Sequence, residues 1–253
     1  MKSLILAAGY ATRLSPLTDS IPKMLLPLAE RPMLDYLLDR IREVDEIGEI
    51  HLVTNARFAP VFEDWAPDDV TVHDDATISN DDRLGAIGDL ALAIDRGELA
   101  GDDLFVVAGD NLIGYSLPDF VDFWRAKGGS AIALHDVADR ELLTNYGVVE
   151  LDDTDRVVGF EEKPKEPRSN LAATAAYLYR SEELELLPRY LEEGNPPDAP
   201  GNFVAWLHTR VPVHGYRVSG EWHDIGDLGQ LLEADNLLRE RAGMKQRAEY
   251  SLD

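Results

Sequence analysis

At 253 residues, with 45% hydrophobic and 28% charged side chains, the chain has the size and composition of one α/β domain that can bury its own core. It has no cysteine, which excludes disulfides, thiolate metal sites and a cysteine nucleophile, so any metal must be held by oxygen or imidazole. A net charge of −24 disfavours nucleic acid and anionic membranes as partners, and no apolar run approaches bilayer length; a cytoplasmic protein with a solvated acidic surface is expected.

The first apolar run, 3–7, reads as a strand. It is too short for a signal-peptide core, and the polar pair Thr12-Arg13 follows closely. Pro32 stands at a helix start, with Leu34, Leu37, Leu38, Ile41 and Val44 at helical spacing behind it. Further strands are expected at 49–54, 103–108, 130–135, 147–151, 156–160, 172–179 and 211–218, and further helices at 85–94, 118–127, 181–191 and 228–241. The run from Leu104 to Ala108 is apolar without alternation, as suits a central strand covered on both faces. Strand–helix alternation in the first half argues for a parallel sheet with helices on both sides. Between 145 and 179 the strands follow one another without helices, which adds an antiparallel extension and makes the sheet mixed but mostly parallel. The Pro-, Gly- and Asp-rich stretch 194–201 reads as a loop, and residues beyond Gly243 are expected to be loosely held. Phe203, Trp206 and Leu207 lie at helical spacing and face either a core or a partner chain.

In open α/β sheets ligands bind beyond the carboxyl ends of the strands, so the residues just after each apolar run carry the interest. Leu6-Ala7-Ala8-Gly9-Tyr10-Ala11-Thr12-Arg13 puts small residues and an arginine after the first strand. Small residues let backbone N–H groups approach phosphate oxygens, and arginine grips phosphate bidentately. Lys23, between Pro22 and an apolar segment, offers a second cation. The loop lacks the Gly-Lys-Ser/Thr ending of a Walker A motif and the spacing of a dinucleotide loop. Asp110, directly after the buried run 104–108, suits Mg²⁺, which takes one or two carboxylates plus substrate phosphates; on position alone it is equally a turn or cap residue. Asp224 reads as a second carboxylate or as a helix N-cap.

Together these residues resemble the sugar-phosphate nucleotidyltransferase (NDP-sugar pyrophosphorylase) family, which includes the glucose-1-phosphate thymidylyltransferases. The resemblance rests on Ala8-Gly9, Thr12-Arg13-Leu14, Pro16-Leu17-Thr18, Pro22-Lys23, Leu26-Pro27 and Arg31-Pro32-Met33. It resumes at Gly109-Asp110-Asn111, Tyr146-Gly147-Val148, Glu162-Lys163-Pro164 and Trp222-His223-Asp224-Ile225-Gly226. It implies a three-layer, Rossmann-like nucleotidyltransferase (GT-A-like) fold in a single domain over 1–253. A nucleotide-binding half would span about 1–115, a sugar-phosphate half about 116–226, and a C-terminal helix about 227–243.

The implied activity joins a nucleoside monophosphate from a nucleoside triphosphate to a sugar 1-phosphate, most simply glucose 1-phosphate with dTTP or UTP, and releases pyrophosphate. The implied roles are Arg13 and Lys23 on the triphosphate and Lys163 on the incoming phosphate. Leu6, Ala8, Gly9, Thr12, Asn80 and Gly85 would line the nucleotide site, and Asn111, Tyr146, Gly147 and Glu162 the sugar. Asp110 and Asp224 would hold Mg²⁺, with His223 a bystander. Relatives often form homo-oligomers. Ala8 and Ala11 depart from the glycines usual in thymidylyltransferases, and Asn80 from their longer glutamine, so the base stays open; Asn80 equally suits an Asx turn. Mannose 1-phosphate with GTP, a cytidylyltransferase with a non-sugar acceptor, a glycosyltransferase, and a non-catalytic nucleotide-sugar-binding subunit are the competing readings.

Overall fold

The computed structural model describes residues 1–252. In chain order the elements are β1 (Lys2–Leu6), β2 (Pro27–Leu28), β3 (Arg31–Pro32), α1 (Met33–Ile41), β4 (Ile50–Thr54), α2 (Ala59–Trp65), β5 (Val70–Asp74), α3 (Ala86–Arg96), β6 (Leu104–Ala108), β7 (Asn111–Ile113), α4 (Leu117–Lys127), β8 (Ser130–Asp136) and β9 (Gly147–Leu151). There follow β10 (Val157–Glu162), β11 (Leu171–Tyr179), α5 (Ser181–Leu184), α6 (Leu187–Glu192), α7 (Gly201–Leu207), β12 (Val213–Arg217), β13 (Trp222–Asp224) and α8 (Leu228–Arg241).

A nine-stranded sheet forms the middle layer. Strands β5, β4, β1 and β6 lie side by side and parallel. β11 pairs antiparallel with β6 and with β8, β12 runs parallel to β8, and the β9–β10 hairpin attaches to the start of β11. Successive residues of β1 alternate between two cores, as the period of a strand requires. Ile5 packs on one side with Leu37 of α1, Phe62 of α2, Phe120 of α4 and Leu231 of α8. Leu4 and Leu6 pack on the other with Leu90 of α3, Leu187 of α6 and Phe203 of α7. The result is a three-layer α/β/α architecture with a mixed sheet and a parallel centre.

Two expectations change and one open alternative resolves. The single helix at 181–191 is two: Pro188 lacks an N–H and cannot continue the first, so the chain restarts as α6 with Pro188 in its first turn. Phe203, Trp206 and Leu207 face the protein's own core, where Phe203 meets the rings of Tyr179 and Tyr190. The residues after Gly243 are tied down: Asn236 exchanges two hydrogen bonds with Arg247, and the Tyr250 hydroxyl donates to the Pro27 carbonyl at 2.8 Å. No helix among the described residues is long and apolar enough to cross a membrane.

Candidate active site

Parallel pairing of β1 with β6 sets Leu6 opposite Ala108, so the loops after both strands emerge at one edge. Gly109 N–H donates to the Leu6 carbonyl at 2.9 Å, which locks the two exits together. The loop after β1 is fastened from beneath. Thr54 Oγ1 donates to the Ala7 carbonyl and Asn55 Nδ2 to the Ala8 carbonyl. Ala11 adopts the left-handed conformation, φ 47°, that glycine ordinarily supplies, and the Thr18 hydroxyl holds its carbonyl at 3.0 Å. The loop shape therefore survives the replacement of glycine. Arg13 follows on a 3₁₀ turn, exposed and without a hydrogen-bond partner among the described residues.

The two acidic residues meet through strand pairing. β7 and β13 run antiparallel with Asn111 opposite Asp224, and Ile225 N–H donates to the Asp110 carbonyl at 3.1 Å. The α8 N-cap is Asp227, whose carboxylate accepts the Gln230 N–H, so Asp224 is not spent on capping. Burial pushes the Asp224 carboxyl up to about 6. The Asp110 charge adds to the rise, while Lys23, Lys163 and Arg13 oppose it. Lys23, Lys163 and Arg13, far apart in the chain, thus all lie near enough for their charges to act on Asp224. Lys23 is nearly buried and donates to Asp110 Oδ2 at 2.6 Å and to the Ile225 carbonyl at 2.8 Å. It thus bolts the loop before β2 to the residue before β7 and the residue after β13.

Beside this centre lies a cleft of about 270 Å³. Asp110, Asn111, Tyr146, Gly147, Glu162, Lys163 and Asp224 all line it. Gly147 has no room for a side chain: an added Cβ would lie 2.6 Å from the Phe160 ring and 3.0 Å from Glu162 Oε2. Burial pushes the Glu162 carboxyl up, with the Lys163 charge opposing. A hydroxyl-bearing ligand that donates to Glu162 would replace the water it has lost. Lys163 itself is exposed, at φ 48°.

Trp222 does more than sequence inspection suggested. Its indole N–H donates to Asn111 Oδ1 at 2.5 Å, while Asn111 Nδ2 donates to the Ala108 carbonyl and to Asp110 Oδ1. The Tyr146 ring stands edge-on to Trp222 at 5.0 Å. The loop 194–201 also contributes: Asp198, Ala199, Pro200 and Gly201 line the cleft. The Pro197 carbonyl accepts the Ile87 N–H at the start of α3, and Asp198 pairs with Arg83 at 3.0 Å. Gly85, at φ 78°, touches this strap directly. Asn80 lies exposed in the loop before α3, outside the cleft, with only its carbonyl bonded, to Arg83.

A larger, mainly apolar cavity of about 560 Å³ lies between α3, α5 and α6. It contains no lysine or arginine and sits by the loop that precedes β6, away from the carboxyl edge. The smaller cleft, by contrast, is lined by Lys163.

The sheet and the cleft define an α/β protein whose carboxyl edge gathers two carboxylates and several cations about one space. The model for the family described as nucleotidyl transferase matches residues 2–241. The chain belongs to that family. It is 29% identical over 249 residues to the UTP–glucose-1-phosphate uridylyltransferase of Synechocystis, covering 92% of this chain and 62% of that protein. It is 31% identical to the glucose-1-phosphate thymidylyltransferase of Streptomyces griseus, over 95% of this chain and 66% of that one. It thus spans less than two thirds of both relatives. The solved UDP-glucose pyrophosphorylase of Acinetobacter baumannii superposes with a TM-score of 0.77, at 21% identity, over 97% of this chain and 95% of that one. That likeness supports the fold.

Proposed function

We propose that the protein transfers a nucleoside monophosphate from a nucleoside triphosphate to a sugar 1-phosphate and releases pyrophosphate. The activities named for its relatives favour glucose 1-phosphate with UTP or dTTP. The observation that carries the reading is that Asp110, Asp224 and Lys163 line one cleft, with Lys23 paired to Asp110 at 2.6 Å and Arg13 near enough for its charge to act on Asp224. In a chain of net charge −24, such a cluster is the local offset that two phosphorylated substrates need.

A sugar-phosphate oxygen attacks the α-phosphorus in line; the bond to the bridging oxygen breaks and pyrophosphate departs with the electron pair. The attacking group is already ionised near neutral pH, so no general base is required. The protein contributes placement and charge neutralisation. Arg13 grips the triphosphate, and Lys163 draws the sugar phosphate in. Glu162 accepts from sugar hydroxyls, and Asn111, fixed by Trp222, Ala108 and Asp110, shapes the wall of the cleft beside them. Asp110 and Asp224 suit Mg²⁺: both are hard oxygen donors that line one cleft, and the strand pairing of β7 with β13 brings them side by side. Mg²⁺ bound there would neutralise phosphate oxygens.

The decisive assay measures pyrophosphate from glucose 1-phosphate and each triphosphate with Mg²⁺, then from mannose 1-phosphate, N-acetylglucosamine 1-phosphate and phosphocholine. Release with one or two triphosphates, abolished by EDTA, names the base; silence with every acceptor rejects the activity. Two variants refine it. Lys163→Ala should raise the KM for sugar phosphate more than that for triphosphate, and equal effects would remove its assigned role. Trp222→Phe leaves the buried Asn111 oxygen without its donor, a loss of about 1–3 kcal/mol. The KM for sugar phosphate should rise roughly tenfold while the triphosphate KM stays constant, as steady-state kinetics would show.

A further inference from the structure

Two acidic side chains that the transfer chemistry does not use lie under the nucleotide end. Asp75 follows β5 and Asp89 sits in the first turn of α3; both are buried, at 5% and 6% exposure. Neither pairs with a cation among the described residues. One oxygen of each, Asp75 Oδ2 and Asp89 Oδ1, is buried with no hydrogen-bond partner, and the two carboxyls stand within hydrogen-bonding reach of each other. Two ionised carboxylates would repel in a place that solvates neither. One proton held between them supplies the missing donor and leaves a single charge.

The network runs on toward the cleft. Asp75 Oδ1 accepts the Thr77 N–H at 2.6 Å, and the Thr77 hydroxyl meets the Tyr10 hydroxyl at 3.0 Å. The Thr77 carbonyl accepts the Ala56 N–H, next to the Asn55 that holds Ala8. The start of α3 is thereby linked to the loop that presents Arg13.

We propose that Asp75 and Asp89 share one proton and act as a positioning pair, which holds the loop 8–13 in the shape that grips the triphosphate and loosens that grip when the proton is lost. The proposal rests on the nucleotidyl-transfer reading. Burial, then the Asp75 charge, pushes the Asp89 carboxyl up to about 8, and burial raises Asp75 as well. Asp74 and Tyr10 face the pair directly, Asp82 and Arg57 act on Tyr10, and Arg96 acts on His73 of β5. Burial raises the Tyr10 hydroxyl above its usual range, hydrogen bonds hold Asp82 below its own, and burial keeps His73 neutral at pH 7. The pair is therefore the group that changes between pH 7 and 9. The folded chain binds the extra proton, so its stability falls as pH rises from about 4 to about 8.

The test compares the wild type with Asp89→Asn, which keeps the shape and a permanent N–H donor toward Asp75. In the wild type the KM for UTP or dTTP should rise about tenfold from pH 7 to 9, with the sugar-phosphate KM nearly constant. In Asp89→Asn the triphosphate KM should stay flat. Parallel profiles in the two proteins, or equal rises in both KM values, would overturn the positioning role. Infrared difference spectra need no turnover. A protonated-carboxyl band should vanish on titration through about pH 8 in the wild type and be missing from Asp89→Asn. Absence of that band in the wild type overturns the shared proton. If neither protein binds or turns over any triphosphate at pH 7, the transfer reading and the positioning role fall together, and the infrared result still decides the proton.

Discussion

Asp110→Asn should lower turnover about a thousandfold, while circular dichroism stays that of the wild type and the melting temperature falls by several degrees because the nearly buried Lys23 loses its counter-ion. Asparagine keeps the size of the side chain but removes the charge that answers both Lys23 and Mg²⁺. Asp110 is partly exposed and follows β6, whose packing lies behind it, so the core is spared and the cost to the fold is confined to the Lys23 pairing. Charge stabilisation at such a centre contributes several kcal/mol to a transition state, and about 4 kcal/mol corresponds to three powers of ten in rate. The measurement is kcat for pyrophosphate release at saturating substrates and Mg²⁺. A loss under tenfold would mean that Asp110 serves mainly to seat Lys23, and the metal assignment would fail.

Gly85→Ala should act in the opposite manner, through the fold. Gly85 precedes α3 at φ 78° and ψ 162°, a region almost closed to side-chain-bearing residues. An added Cβ would lie 2.6 Å from the Pro197 carbonyl oxygen, against backbone that cannot rotate away. Strain and overpacking together should cost about 2–5 kcal/mol, lowering the melting temperature by roughly 10 °C. Gly9→Ala is the matched control: its Cβ meets nothing within 4 Å. It should melt like the wild type yet bind triphosphate more weakly, because the added methyl occupies space at the loop. Equal melting of all three proteins would show that the strap at Pro197 yields easily.

The contrast between these variants parallels what could be read from the chain. Runs such as Leu104-Phe105-Val106-Val107-Ala108 announce themselves because burial on both faces demands unbroken apolar character. β5 escaped notice: Val70-Thr71-Val72-His73-Asp74 is an edge strand with an exposed Thr71, and it carries too few apolar residues to stand out. α2 was equally hidden, a short helix opening on Ala59-Pro60 with only Ala59 and Phe62 buried. At the cleft, Asp110 and Asp224 were legible because each ends or follows a recognisable motif. The Lys23–Asp110 pairing spans 87 residues, and the indole of Trp222 reaches Asn111 across 111. Such contacts depend on how two loops converge in space, and no local pattern encodes them. Asp75 and Asp89 left no trace either, since a buried acid and a solvated one look alike in a chain this acidic.

The segment from Pro197 to Gly201 belongs to two places at once: its carbonyls accept the Ala86 and Ile87 N–H groups at the start of α3, and residues 198–201 wall the cleft in which the proposed reaction would join its two substrates. Thermodynamic reciprocity applies to such a shared element. Whatever free energy the first ligand spends or gains in moving this segment must reappear, with the same sign and size, in the binding of the second. Dissociation constants measured singly and in pairs, with a non-transferable triphosphate analogue, therefore form a closed square. Its unequal sides would put a number on the cooperation between the two halves of the cleft.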